Sequence, residues 1–346
     1  MASLFDESLL DDEAALGRAD DVLRPLAEAG SRVRREAGAA AEAIEAAVQA
    51  AAGDARPRAV VAAGPDSRLL RAVLEPWCPV PFVAWPGPSL PGWAGALDLV
   101  VVLAPAGGDS GTASAVAEAV RRGCQLVVAC PPHSVVAEHA QGRHTTVLPT
   151  SLGDQLATAV VMLEFLDRLD LGPDADAEAV AAALDEVAID CSPYRDLSTN
   201  PAKLLAIALA DATPLLWGGT VLAARAARRV AESVRRASGR TALAADAEHL
   251  LPVVAAASAR DVFADPFSDA DDGDLRPALV ILDDGSDEAS VREQRGRLNL
   301  AAQEHGVRVE TLTSEAPTEV ARYASLLAQG TYAAAYLAVG LGRSPG

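Results

Sequence analysis

The chain has 346 residues, half of them hydrophobic, which is enough apolar material for about two ordinary domains and excludes intrinsic disorder. Aromatic residues make up only 4%, so Ala, Val and Leu must build the core, and Lys203 is the sole lysine. With 29 basic against 48 acidic residues the net charge is −19, a surface that repels phosphate backbones and anionic lipid, so neither nucleic acid nor membrane is an expected partner.

The N-terminal stretch, residues 1–12, is acidic and lacks the basic and apolar regions of a signal peptide. The longest apolar runs, such as residues 99–105, have strand length and fall far short of the ~20 residues of a spanning helix. Four cysteines (Cys78, Cys124, Cys130, Cys191) are too few for a disulfide framework in a chain this long. A cytoplasmic protein is expected.

Residues 11–29 carry Leu16, Val22, Leu23 and Leu26 near one helical face, with Gly30 as a stop, and a second helix is predicted over 33–52. The rhythm then changes to short apolar runs separated by helices. Strands are predicted at 59–63, 81–85, 97–103, 125–130 and 145–148, with helices starting at Ser67 and spanning 112–122 and 151–169. Such alternation predicts a parallel sheet covered on both faces. A short Ala-rich helix to Val187 and a polar connector over 190–200 follow, and the pattern restarts. Helices are predicted over 201–212, 221–237, 288–304 and 319–340, and strands over 214–217, 275–282 and 307–312. Pro201 takes the favoured first position of its helix. The final helix is apolar on nearly every face (Leu326, Leu327, Tyr332, Tyr336, Leu337), the pattern of a helix buried on all sides.

The glycine-rich run Gly107-Gly108-Asp109-Ser110-Gly111-Thr112 follows a strand and opens a helix. Its backbone N–H groups suit an anion site. It equally suits an ordinary turn in which Ser110 or Thr112 caps the helix. The tetrapeptide Gly-Asp-Ser-Gly within it also surrounds trypsin-type nucleophiles, but the all-β signals of that fold are missing. Neither a Walker A run nor a spaced GxGxxG occurs. Cys130-Pro131-Pro132-His133, with Cys124 nearby, has metal-ligand spacing, yet both cysteines flank a predicted buried strand, where cysteine behaves as a small hydrophobe. The acidic run 269–274 lacks the glycine and glutamate positions of an EF-hand and reads as a solvated loop, so no metal is expected. Among the other histidines, His139, His144 and His305 read as surface residues, whereas His249 follows Asp246 and Glu248 in a connection between α/β elements, where function often sits.

Taken in order, several segments resemble the bifunctional phosphoglucose/phosphomannose isomerase family of sugar-isomerase (SIS) domain proteins, in a divergent actinobacterial-type branch. They are Phe5-Asp6-Glu7-Ser8-Leu9-Leu10-Asp11, Leu90-Pro91-Gly92-Trp93, Leu99-Val100-Val101-Val102, Asn200-Pro201-Ala202-Lys203, Pro214-Leu215-Leu216-Trp217-Gly218 and Tyr336-Leu337-Ala338. The resemblance implies two tandem SIS domains of flavodoxin-like, three-layer αβα architecture, each around a five-stranded parallel sheet. It also implies a homodimer with its active site at the subunit interface. Enzymes of that family interconvert an aldose 6-phosphate and fructose 6-phosphate. A glutamate moves a proton between C1 and C2, a histidine helps open the ring, arginine and lysine stabilise charge, and a Ser-x-Ser-Gly-x-Thr loop holds the phosphate.

Carried over position by position, most of that machinery is replaced. The phosphate loop falls on Ala104-Pro105-Ala106-Gly107-Gly108-Asp109, although a small shift recruits Ser110 and Thr112. The catalytic glutamate aligns near Arg236, with Glu232 the nearest glutamate. The arginine after Val147-Leu148-Pro149 and the C-terminal lysine have no counterpart, and only His249 persists. The expected organisation is an N-terminal SIS-like domain over 1–172, a linker over 173–199 and a C-terminal SIS domain over 200–346. Gly107, Gly108, Ser110, Gly111, Thr112, Gly218, Gly219 and Thr220 are the sugar-phosphate-binding candidates, and His249, Glu232 and Glu248 the catalytic ones. The expected function is that of a cofactor-free, sugar-phosphate-binding or regulatory homologue. The alternative is an active isomerase with a rearranged site.

Overall fold

The computed structural model describes residues 4–53, 55–257 and 275–344. After a 3-10 turn at Glu7–Leu10, helix α1 (Glu13–Arg18) starts at Asp12, whose carboxylate accepts the Ala15 N–H at 2.7 Å. The single helix predicted over 11–29 is broken at Ala19 into α1 and α2 (Asp20–Ala27), and α3 (Ala29–Ala51) follows at once. Pro25 lies inside α2 and has no N–H for the Asp21 carbonyl, yet α2 continues through it. Gly30, expected as the stop, is instead buried in the first turn of α3.

The first sheet is built from β1 (Val60–Ala63), α4 (Ser67–Leu74), β2 (Phe82–Trp85), β3 (Leu99–Leu103), α5 (Ser110–Arg122), β4 (Gln125–Cys130), α6 (Val135–His139), β5 (Thr145–Pro149) and α7 (Gln155–Asp167). Its order is β2-β1-β3-β4-β5, every pairing parallel. β1 and β3 are buried along their whole length, which is why they read as unbroken apolar runs. The strand order reverses between β1 and β3, and in open parallel sheets ligands bind beyond the strand ends at that point. Helix α6 escaped the sequence reading because five residues are too few to show a period.

Beyond α8 (Ala177–Asp190) come α9 (Pro201–Ala208), β6 (Ala212–Gly218), α10 (Val221–Ser238), β7 (Leu243–Ala244), α11 (Ala247–Ala255), β8 (Arg276–Asp283), α12 (Ala289–Glu304), β9 (Arg308–Thr313) and α13 (Glu319–Gly340). The second sheet runs β7-β6-β8-β9, again parallel, with four strands among the described residues where the resemblance implied five. Pro214 is tolerated in β6 because β7 pairs only with Leu215 and Leu216, so no neighbour requires the missing N–H. β7 is too short to recognise in sequence, and α11 carries Pro252, which masks its helical pattern. The acidic run 269–274 lies outside the described residues.

The chain thus has the expected α/β class with two parallel sheets. Two compact units form, and they do not follow the expected boundaries at 172 and 200. One holds Ala29–Ala182 with Pro317–Ala321. The other holds the described residues up to Glu28, those of Ala183–Ala316 and those from Arg322 onward. The N-terminal segment joins the second unit through specific bonds: the Asp6 N–H donates to the Gly340 carbonyl at 2.7 Å, and Lys203 Nζ donates to the Asp11 carboxylate at 2.7 Å. Lys203 is fully buried, also donates to the Pro193 and Arg195 carbonyls at 3.0 and 3.1 Å, and sits 5.8 Å from the Tyr336 ring centre. The expected linker 173–199 is mostly α8 and a 3-10 turn at Leu197–Thr199. Residues 332–341 are all buried within the chain, so the all-round apolarity of α13 is accounted for without a second subunit. Among the described residues no helix is long and apolar enough to cross a membrane.

Candidate functional site

In the first domain the loop after β3 turns at Gly107, where φ is +66° and a Cβ would collide with Ser134, so only glycine passes. The cap of α5 is neither Ser110 nor Thr112, the two residues expected from sequence, but Asp109. Its carboxylate accepts both the Thr112 N–H and the Thr112 hydroxyl at 2.9 Å. The Thr112 N–H above all holds this carboxyl below its ordinary range, against the opposing effect of partial burial. Ser110 and Gly108 are exposed, Gly111 is half-buried, and Thr112 is buried. A carboxylate of the chain itself therefore occupies the N-terminus of α5, a place that suits an anion.

The next loop of the same domain is held the same way. Glu36, buried on α3, accepts the Ser151 N–H at 2.8 and 3.0 Å and the Leu152 N–H at 2.5 Å. This is the loop after β5 in which the resemblance implied an arginine. Asp154 then caps α7 through the Ala157 N–H at 2.9 Å and pairs with Arg32 at 2.8 Å. Cys130 is buried in β4, and burial raises its thiol pKa, as a small hydrophobe requires, while His133 is exposed.

The second domain offers an open cleft of about 460 Å³. β6 ends at Gly218, where a Cβ would collide with the Ala223 backbone; glycine lets α10 start hard against the strand. Thr220 caps α10, accepting the Ala223 N–H at 3.1 Å, and its hydroxyl bonds the carboxylate of Asp284 in the loop after β8. These are the two loops that flank the switch point of this sheet. Gly218, Gly219 and Thr220 line one wall, while Glu248 and His249, exposed in the first turn of α11, line the other. Arg228 and Asp246, 3.8 Å apart and both exposed, lie at the same cleft, and Gln294 reaches it from α12.

Of the candidate residues, Gly218, Gly219, Thr220, Glu248 and His249 come together. Glu232 does not line the cleft; it is bound to Arg229 at 2.6 Å. Arg236, where the family's glutamate aligns, is exposed on the last turn of α10 and also lies away from the cleft lining. Sequence reasoning missed Arg228, Asp246 and Gln294. Thr220, Ala224 and Arg228 recur every four residues on one face of α10, a spacing that could have exposed Arg228. Nothing local marks Gln294.

The family described as "Bacterial phospho-glucose isomerase C-terminal SIS domain" matches residues 198–346. A search of curated protein sequences returned no match. Among solved structures, the chain is similar to tagatose-6-phosphate ketose/aldose isomerase from Escherichia coli, with TM-score 0.69, 12% identity and 96% of each chain covered. It is similar to a glucose-6-phosphate isomerase like protein from Thermus thermophilus, with TM-score 0.52, 18% identity and 85% of each chain covered. A third is the C-terminal domain of glucosamine-fructose-6-phosphate aminotransferase from Francisella tularensis, with TM-score 0.58 and 12% identity over 90% of this chain and 96% of that one. At such identities the likeness is one of fold. The sequence-level likeness is confined to residues 198–346, which match the C-terminal SIS domain of bacterial phosphoglucose isomerases.

Proposed function

We propose that this protein binds a sugar phosphate through the cleft of its second domain and does not interconvert aldose and ketose forms at an enzymatic rate. The observation that carries this reading is the occupation of anion-type donors by the chain's own carboxylates, Asp109 and Glu36 in the first domain and Asp284 at Thr220 in the second. A phosphate arriving at either helix start meets a negative charge that already holds the amides or the capping hydroxyl. At an effective dielectric near 20, two unit charges about 4 Å apart repel by roughly 4 kcal/mol. The cleft groups away from those caps, namely Arg228, Asp246, His249, Glu248 and Gln294, suit a sugar's hydroxyls, and Arg228, loosely paired with Asp246 at 3.8 Å, is the cation for the phosphate. The reading also makes the protein cytoplasmic and homodimeric; light scattering above the 35.5 kDa monomer mass tests the second point.

Aldose–ketose isomerisation needs a carboxylate within hydrogen-bond reach of C1 and C2 and a donor for the developing oxyanion, each typically worth ~10²–10⁴-fold. One observation favours the alternative of a rearranged active isomerase: Glu248 and His249 share the cleft with Gly218, Gly219 and Thr220. Glu248, in place of Glu232, would then be the base. The deciding experiment pairs calorimetric binding of glucose 6-phosphate and mannose 6-phosphate with a coupled assay for fructose 6-phosphate. Binding without turnover is expected. Turnover near ~10 s⁻¹ that Glu248→Gln abolishes would establish the alternative.

A further inference from the structure

The first domain holds a second cavity, at the opposite end of its sheet from the Gly107 and Glu36 loops. It lies where β3, β4 and β5 begin, at Leu99, Gln125 and Thr145, beside the last turns of α3 and the C-terminal end of α7. Its volume is about 520 Å³, within the range of small-ligand sites. Leu126, Phe165, Leu169 and Leu171 make an apolar lining, while Arg56, Arg143 and His144 are exposed at its rim.

The charge of this place is unusual for the molecule. The protein carries −19 overall, yet no acidic side chain is among the described residues that line the cavity. Arginines close by in sequence are already bound, Arg58 to Asp98 at 2.6 Å and Arg168 to Glu45 at 2.5 Å. Arg56 and Arg143 make no ion pair with any described residue. Two guanidinium groups with no ion pair among the described residues, above an apolar pocket, match a ligand with one anionic end and one greasy end. Arginine engages a carboxylate with two parallel N–H donors, and it loses less hydration than an ammonium in doing so. We propose that this cavity binds a small organic acid with an apolar body, its carboxylate on Arg56 and Arg143 and its body against Phe165 and Leu126.

Calorimetric titration of the full chain with sodium octanoate tests this. Saturable binding of one octanoate per chain is expected, with a dissociation constant on the order of 0.1 mM. Arg56→Gln/Arg143→Gln should weaken it about tenfold or more without moving the thermal midpoint, and neutral octanamide should bind wild type more weakly by a similar factor. Ala50→Trp, which places a large ring in the lining, should block octanoate and so locate the site. Absence of saturable binding up to roughly 10 mM overturns the proposal. So does octanoate binding that the arginine pair leaves unchanged, or equal binding of octanoate and octanamide. Where the double variant fails to fold, the octanamide comparison on wild type decides.

Discussion

The loops beyond the strand ends of the two sheets are built from similar parts and held differently. In the first domain the loops beyond β3 and β5 are tied down from within, by Asp109 on Thr112 and by Glu36 on Ser151 and Leu152. In the second, Thr220 and Asp284 close the cap of α10, but Arg228, Glu248 and His249 stay exposed around an open cleft. A carboxylate that accepts backbone N–H groups at a helix start or in a tight loop does electrostatically what a bound phosphate does. In the first domain these loop donors are met by fixed internal carboxylates, whereas the second keeps Glu248 and His249 exposed at its cleft, beside the Arg228–Asp246 pair.

The sharpest way to break that contrast is to remove the internal anion. Glu36→Ala leaves the Ser151 and Leu152 N–H groups without their charged acceptor in a buried setting. Hydrogen bonds to charged groups are worth about 1.5–3 kcal/mol, so a loss of roughly 3 kcal/mol is expected in urea unfolding. Asp284→Ala in the second domain removes one partly exposed partner of Thr220 and should cost less than about 1 kcal/mol. Equal losses would mean the strand-end loops of the two sheets are not differently held.

The second comparison is of binding. Arg228→Ala and His249→Ala lie at exposed positions and should leave stability within about 0.5 kcal/mol of wild type. Each should weaken glucose 6-phosphate binding about tenfold, the ~1.4 kcal/mol expected for losing a charged contact. Asp109→Asn keeps an acceptor for the Thr112 N–H and removes the charge, so it should raise any phosphate affinity of the first domain. Unchanged binding in both cleft variants would move the ligand elsewhere.

How much of this was visible beforehand differs by level. The strands were legible because burial on both faces forces unbroken apolar runs, as in Leu99-Val100-Val101-Val102-Leu103. The pieces missed were α6, β7 and α11, two too short for a period and one holding Pro252. His249 and Glu248 could be named from sequence through the resemblance and their place between α/β elements, and the structure brings them to one cleft with the Gly218 turn. The role of Glu36 could not, since its partners are 115 and 116 positions away and sequence carries no trace of that distance. The cap was misread for a related reason. Asp, Ser and Thr all cap well, so Asp109, Ser110 and Thr112 compete on propensity alone, and geometry chose the aspartate.

The smallest expected effect concerns pH and again sets carboxylates against each other, now inside one domain. Asp109 is held below its ordinary range by the Thr112 N–H, with smaller help from the Thr112 hydroxyl and the Gly111 N–H. A depressed folded value means its contribution is present above the unfolded value of about 3.9 and is lost as pH falls through the folded one. Glu164, half-buried on α7 with its Oε2 unpartnered among the described residues, is raised by burial, and Asp176 and Asp167 add to that, with Arg168 opposing. A raised folded value runs the other way: the contribution is full below about 4.3 and fades as pH rises through the folded value. At neutral pH the buried charge of Glu164 is therefore a cost, and Glu164→Gln should raise the melting temperature slightly at pH 7 while changing it little near pH 4. Asp109→Asn should do the reverse, lowering it at pH 7 and losing that effect in acid. Melting curves of both variants at the two pH values check the pair. A Glu164→Gln shift of the same size at both would show that packing, and not the ionised carboxylate, sets its effect.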